Sequence, residues 1–101
     1  MLVHCVYFWL RDDLTDEELG TFVEGVNSLT TIDTIRHGFV GTPASTVRPV
    51  IDRSYSYSII AVFDDVDGHD AYQADPVHNK FRDTCASFWT RVKIYDIETS
   101  Q

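Results

Sequence analysis

Tyr72 and His78 lie close together in the segment 71–89, AYQADPVHNKFRDTCASFW, on either side of Asp75-Pro76. A phenol and an imidazole at this spacing form a plausible proton-transfer pair: a neutral ring accepts a proton and the phenol donates a hydrogen bond to the oxygen that develops charge. Asp75 is suited to cap the free N–H groups of a new helix, and Pro76 suits its first position. The residue before a proline avoids helical backbone, so one helix is expected to stop near Ala74 and a second to begin at Pro76. That places His78 in a first helical turn, where the positive end of the helix dipole disfavours imidazolium. The same two side chains also suit a pocket wall or an ordinary core.

The elements that must position this pair can be read in order. Leu2–Leu10 (LVHCVYFWL) is a nearly continuous apolar run with β-branched and aromatic residues, expected to be a strand buried on both faces. His4, Val6, Phe8 and Leu10 share one face; Val3, Cys5, Tyr7 and Trp9 share the other. Thr15-Asp16-Glu17-Glu18 fits a capping box, and Leu19, Phe22, Val23, Val26 and Leu29 follow at helical spacing, which predicts a helix over 16–29. Gly20 and Gly25 weaken that helix in isolation, so it depends on packing. A second strand is predicted over 32–41, with His37 as an exposed strand residue, and a long loop over 43–53 carries Arg48 and Arg53 as solvated charges. The alternation of SYSYSIIAVF predicts a third strand over 54–63, with Tyr55, Tyr57, Ile59 and Ala61 on one face. Asp67 is a fair cap for a short helix over 68–74, and Val77, Phe81, Cys85 and Phe88 mark a helix over 76–87. Trp89–Glu98 is the last strand. Trp89 is out of parity with Val92, Ile94 and Asp96, which predicts a bulge near Thr90.

Strand, helix, strand, strand, helix pair, strand is the split βαβ, ferredoxin-like plan: an α+β protomer with a four-stranded antiparallel sheet and helices on one face. The opposite face is apolar as well. A large bare apolar face marks an interface, which predicts a homodimer whose sheets cover one another as a dimeric α/β barrel.

The 101 residues suffice for a single domain, 1–101, with one core. Apolar residues make up 44% and aromatic residues 13%, so large rings must supply much of the burial. The net charge of −8 argues against nucleic acid and against an anionic membrane surface as partners. Two cysteines, Cys5 and Cys85, are expected as buried free thiols, in keeping with a reducing compartment. With no basic leader before Leu2 and no run of ~20 apolar residues, a cytoplasmic location is expected. Asp75 beside His78 has no third ligand at a suitable spacing, so no metal is expected, and without a nucleotide-binding glycine loop no cofactor is expected.

The opening HCVYF, the YSYSIIAVF strand, AYQADPVHNKF and the closing SFWTRVKIYDIE together resemble the stress-responsive dimeric α/β-barrel (Dabb) family, from His4 to Glu98. The resemblance implies a ferredoxin-like protomer and a homodimeric barrel. The chain is also similar to the plant olivetolic acid cyclase branch of that family, which closes a linear tetraketide thioester by an aldol condensation. By that similarity His78 is the general base and Tyr72 the hydrogen-bond donor. A cavity for a small hydrophobic or polyketide-like ligand would be lined by His4, Val6, Phe8, Phe22, Ile59, Phe81, Trp89, Val92 and Ile94. Three positions depart from the cyclase: Tyr57 stands for a histidine, Arg82 for a glycine, and Gln73 for an aliphatic residue. Tyr57 and Arg82 are expected to narrow the cavity or reach across it. Three functions fit these residues: an apolar-ligand-binding stress-related dimer, a cofactor-free cyclase or lyase, and a structural dimer with a filled cavity.

Overall fold

In the computed structural model, which describes residues 1–100, strand β1 (Leu2–Leu10) lies between two antiparallel neighbours, β3 (Tyr57–Phe63) and β4 (Trp89–Glu98). Strand β2 (Ile35–Gly41) completes the sheet beside β3, in the order β2-β3-β1-β4. Helices α1 (Asp16–Ser28), α2 (Val66–Ala74) and α3 (Pro76–Cys85) form a single layer on one face. This is the ferredoxin-like α+β architecture.

Register decides which residues meet. His4 lies opposite Ala61 and Asp96, Val6 opposite Ile59 and Ile94, and Phe8 opposite Tyr57 and Val92. Directly paired residues point to the same face, so these positions all look toward the helices. Leu2, His4, Val6, Phe8, Ile59, Ala61 and Phe63 are buried there against Phe22, Val26, Leu29, Tyr72, Phe81 and Cys85. The ladder shifts between Trp9 and Leu10, which pair with Arg91 and Trp89, so Thr90 is the extra residue of a bulge. This bulge brings Trp89 onto the face of Val92 and Ile94, as the broken parity predicted.

Local chemistry explains the helix ends. Thr15 Oγ1 accepts from the Glu18 amide at 3.1 Å while Glu18 Oε1 accepts from the Thr15 amide at 2.9 Å, the reciprocal capping box. Helix α2 starts earlier than the predicted 68. Asp65, not Asp67, caps it, because its carboxylate is placed to accept from the Gly68 amide at 2.9 Å. At the break Asp75 is extended, with φ −66° and ψ 139°, and accepts from the Val77 amide at 2.8 Å.

Three further boundaries differ from the sequence expectation. β2 begins at Ile35 rather than 32, because the chain leaves α1 through a 3-10 turn (Leu29–Thr31), after which the Ile32 amide donates to the Leu29 carbonyl and the Ile35 amide to the Ile32 carbonyl. β3 begins at Tyr57 rather than 54. Ser54 and Ser56 hold the end of β1 by their hydroxyls instead, accepting from Trp9 Nε1 and the Leu10 amide. α3 ends at Cys85, and Ala86–Phe88 forms a 3-10 turn into β4.

The expectation that β1 is buried on both faces needs correction. Its helix-facing residues are buried up to Phe8, whereas Val3, Cys5, Tyr7 and Trp9 are half-buried: among the described residues no helix covers the outer face, and the loop before β3 reaches it only with Ser54 on Trp9 and Tyr55 on Tyr7. The helix layer also stops short of β4. Val92 and Ile94 face the helices yet remain 42% and 49% exposed, and Tyr95 and Ile97 on the outer face are 54% exposed each.

The two glycines of α1 give opposite expectations. A Cβ on Gly25 would meet Phe81 Cδ1 at 3.0 Å and Cys85 Sγ at 3.1 Å, whereas a Cβ on Gly20 meets nothing within 4 Å. In urea unfolding at fixed protein concentration, Gly20→Ala should stabilise by about 0.5–1 kcal/mol through helix propensity. Gly25→Ala should destabilise by about 1–3 kcal/mol through overpacking. A stabilised Gly25→Ala would show that α1 and α3 are not in close contact.

Candidate functional site

Between the open edge at β4 and the break joining α2 to α3 lies a cavity of about 210 Å³. The sheet supplies His4, Val6, Phe8, Ile59, Trp89, Val92 and Ile94; the helical layer supplies Leu29, Tyr72, Gln73, His78, Phe81 and Arg82. A groove of about 340 Å³ between α1 and α3, lined by Thr21, Glu24, Gly25, Lys80 and Thr84 among others, is roomier. It lacks a buried titratable group with unmet hydrogen-bonding capacity, so the smaller cavity is the better chemical site.

The cavity assembles most of the residues anticipated from the sequence, with two exceptions. Phe22 and Tyr57 do not line it. Phe22 is fully buried and packs its ring against Phe8, Tyr57 and Phe81 at centroid distances of 5.3, 5.5 and 5.9 Å. Both therefore sit behind the Phe8 and Phe81 rings, and Tyr57 does not close the cavity. Leu29, expected only on the apolar face of the first helix, and Gln73, expected only as a polar replacement beside Tyr72, also line it. Gln73 is adjacent to Tyr72 and one helical turn from His69, a spacing that gave a usable signal.

Tyr72 and His78 meet across the helix break as edge-to-face rings, with centroids 4.9 Å apart and planes at 72°. Tyr72 is 1% exposed, and burial pushes its phenol up to about 12, so it stays protonated and can only act as a hydroxyl donor or neutral acceptor. His78 is held below its ordinary range, first by burial and then by the nearby Arg82 guanidinium and the His4 ring. Its Nδ1 is buried and, among the described residues, has no hydrogen-bond partner. An unmet buried polar atom costs about 1–3 kcal/mol, and core histidines are ordinarily satisfied.

His4 has a different environment. It is 2% exposed, and its Nδ1 lies 2.5 Å from Asp96 Oδ1 on the neighbouring strand. Burial lowers its pKa and outweighs the opposing hydrogen bond and charge of Asp96. The His4 ring also contacts Tyr72 and His69, at 5.8 and 4.8 Å between centroids. The two cysteines are free: Cys85 is buried and Cys5 half-buried, and burial raises both thiols. Neither has the lowered pKa of a reactive thiolate. His37 is exposed at β2, away from the cavity.

A ferredoxin-like sheet with a small, mostly apolar cavity on its helix face, bordered by a buried phenol and two buried imidazoles, defines an α+β protein of the ferredoxin-like class. The chain belongs to the stress responsive A/B barrel domain family, whose model matches residues 2–99. It is similar in structure to a dimeric ferredoxin-like protein of unknown function from Bacteroides fragilis, with a TM-score of 0.73 and 26% identity over 97% of this chain and 95% of that one. It is also similar to a Dabb family protein with a ferredoxin-like fold from Mesorhizobium loti, with a TM-score of 0.76 and 22% identity over 99% and 97%. A putative antibiotic biosynthesis monooxygenase from Nitrosomonas europaea shares the fold at a TM-score of 0.74 and 14% identity over the whole of both chains. No curated protein matches the chain. Among the described residues, no helix is long and apolar enough to cross a membrane.

The electrostatics of His78 generate a prediction. Arg82 is exposed at the cavity rim and lowers the His78 pKa. In an NMR titration His78 should titrate below its ordinary value of 6.5, and Arg82→Gln should move it upward. Because the folded pKa values of His78 and His4 are depressed, the unfolded chain binds more protons just below pH 6.5. Stability should therefore be full above that pH and fall as the solution is acidified through it. A His78 resonance that titrates above 6.5 would show that the ring is not desolvated.

Proposed function

We propose that the protein is a homodimer whose protomers each bind a small, flat, largely apolar molecule carrying an oxygen in the cavity between Tyr72, His78 and Trp89. The observation that carries this reading is the unpartnered His78 Nδ1, buried in a ring already edge-to-face with the protonated Tyr72 and bordering an apolar cavity. A cavity of about 210 Å³ is smaller than the ~300–1,000 Å³ of most drug-sized sites, so it suits a ligand of one ring rather than an extended chain. The aromatic walls of Phe8, Phe81 and Trp89 fit a flat molecule. Gln73 and Arg82 supply polar groups at its edge.

The homodimer is supported by the uncovered outer face of the sheet, where Val3, Tyr7, Ile60, Val62, Tyr95 and Ile97 make an apolar surface in register. The Bacteroides fragilis protein is described as dimeric. Sheet-to-sheet pairing across this face would close the dimeric α/β barrel expected from the sequence. Ile60, opposite Cys5 and Phe39, lies near the centre of that face. Ile60→Glu would bury an unpaired charge in the interface and should convert a dimer into a monomer in sedimentation equilibrium at micromolar concentration. An unchanged dimer mass would place the interface elsewhere.

A second reading, a cofactor-free cyclase or lyase, is favoured by the same pair. His78 held neutral is competent to take a proton from a carbon between two carbonyls, and Tyr72 to donate to the resulting enolate oxygen. The similarity to the olivetolic acid cyclase branch supports that assignment of roles. A role in a stress response and a cytoplasmic location belong to this proposal also.

Trp89 lines the cavity, whereas Trp9 lies on the outer face and serves as an internal background. Titration with flat phenols and β-diketones should quench tryptophan fluorescence saturably, and Trp89→Phe should remove the saturable part. In the second reading His78→Ala keeps binding and lowers β-diketone turnover by about 10²–10⁴-fold. Turnover unaffected by His78→Ala leaves binding alone. No saturable response to any probe would mean that the protein's own side chains fill the cavity and that the dimer is structural.

A further inference from the structure

Three residues distant in sequence converge beside the cavity. His4 comes from the central strand, His69 from α2 and Asp96 from β4, and one potential ligand atom from each lies within 4.8 Å of the others. A tetrahedral zinc site, with bonds of about 2.0–2.2 Å, needs ligand atoms somewhat closer than this. Asp96 stands on the open sheet edge with its side chain 44% exposed, and His69 is on a short helix, so both have room to close on the buried His4.

The hydrogen bonds around His69 orient it as a metal ligand is oriented. Its Nδ1 lies 3.1 Å from the Asp70 carboxylate, and its Nε2 lies 3.3 Å from the Gln73 amide nitrogen. An acceptor at Nδ1 and a donor at Nε2 select one tautomer, with the proton on Nδ1 and the lone pair on Nε2. A ligating imidazole ordinarily gives one nitrogen to a carboxylate, and the Nε2 lone pair that now accepts from Gln73 is the one an ion would take. Asp96 approaches Nδ1 of His4 directly, as a hydrogen-bond partner whose shared proton an ion between the two would replace.

We propose that His4, His69 and Asp96 form a binding site for a divalent transition metal of the zinc type, one ion per chain. Two imidazoles and one carboxylate match the donor preference of zinc, cobalt and nickel, and two imidazoles disfavour magnesium and calcium, which prefer oxygen. With three protein ligands, one position stays open, as in sites that bind a further molecule rather than closed structural sites. His4 also lines the cavity, so an ion held there borders the ligand site. Spacing along the chain cannot show this trio, because its members come from the first strand, a helix and the last strand.

The test uses the intact dimer after chelator treatment. Calorimetric titration with zinc should show saturable uptake of one ion per chain, and cobalt should give the strong visible bands of a low-symmetry, four- or five-coordinate site. Magnesium should give neither. His69→Leu replaces a mostly buried ring with an apolar side chain and Asp96→Asn keeps the shape of a partly exposed one, so both should remain folded by circular dichroism. Each should weaken zinc at least about tenfold, the loss seen even for residues that only support a ligand. The proposal is overturned if the parent takes up no zinc, or if His69→Leu binds it with parental affinity. It is overturned equally if uptake is lost in Cys5→Ser or Cys85→Ser and kept in His69→Leu, which would assign the ion to a thiol.

Discussion

The structure depends on the antiparallel pairing of β1 with two partners at once. Because β1 is hydrogen-bonded on both edges, its side-chain alternation is imposed on β3 and β4, and one face of β1 and β3 becomes a continuous buried surface of Leu2, His4, Val6, Phe8, Ile59, Ala61 and Phe63. A slip of one residue in the β1–β4 ladder would turn His4 and Asp96 to opposite faces and move Trp89 off the face it shares with Val92 and Ile94. The bulge at Thr90 belongs to the same constraint. It restores the parity of β4 at the one point where the strand leaves α3, and it thereby brings Trp89 within 5.0 Å of Phe8, ring centroid to ring centroid.

Against that surface the helices divide the work. Helix α1 seals the core with Phe22, Val26 and the following Leu29, and it approaches α3 so closely that Gly25 faces Phe81 and Cys85. The break at Asp75-Pro76 does the opposite. It turns the chain between two helices at the point where Tyr72 ends one and His78 begins the next, and so holds two polar rings in contact within an apolar layer. The layer stops before β4, and the cavity is the space left between the break and that uncovered strand. Fold and site thus share a cause: too few helices to cover four strands.

The polar groups of the site are buried to different degrees and with different partners, which separates their roles. Tyr72 remains a phenol because burial opposes its ionisation. His78 remains neutral because burial and Arg82 act in the same direction. His4 has Asp96 beside it, and the two favour opposite charge states of the ring, with burial prevailing. A neutral imidazole without a partner, a phenol that holds its proton and an oriented histidine–aspartate pair are therefore found within one apolar space.

Much of this was legible from local chemistry. The apolar run Leu2–Leu10, the alternation of the third strand, the capping box at Thr15–Glu18, the Asp75-Pro76 break and the parity fault before Val92 each depend on a few adjacent residues, and each predicted its element. The helix and strand starts that were misplaced failed for local reasons of the opposite kind. Asp65 and Asp67 are both competent caps, and only the position of the chain leaving β3 selects Asp65. The apolar residues of the cavity could be nominated from face and parity, but not their depth: Phe22 and Tyr57 have the right type, and the rings of Phe8 and Phe81 stand in front of them. The sequence by itself therefore determined the order of elements, the face of each strand and the pairing of Tyr72 with His78 across a break, because these are set by neighbours along the chain. Only the tertiary structure decided that β4 stays uncovered, that His78 Nδ1 is left without a partner and that His69 and Asp96 meet His4, because those contacts depend on the stagger of strands and helices remote in sequence.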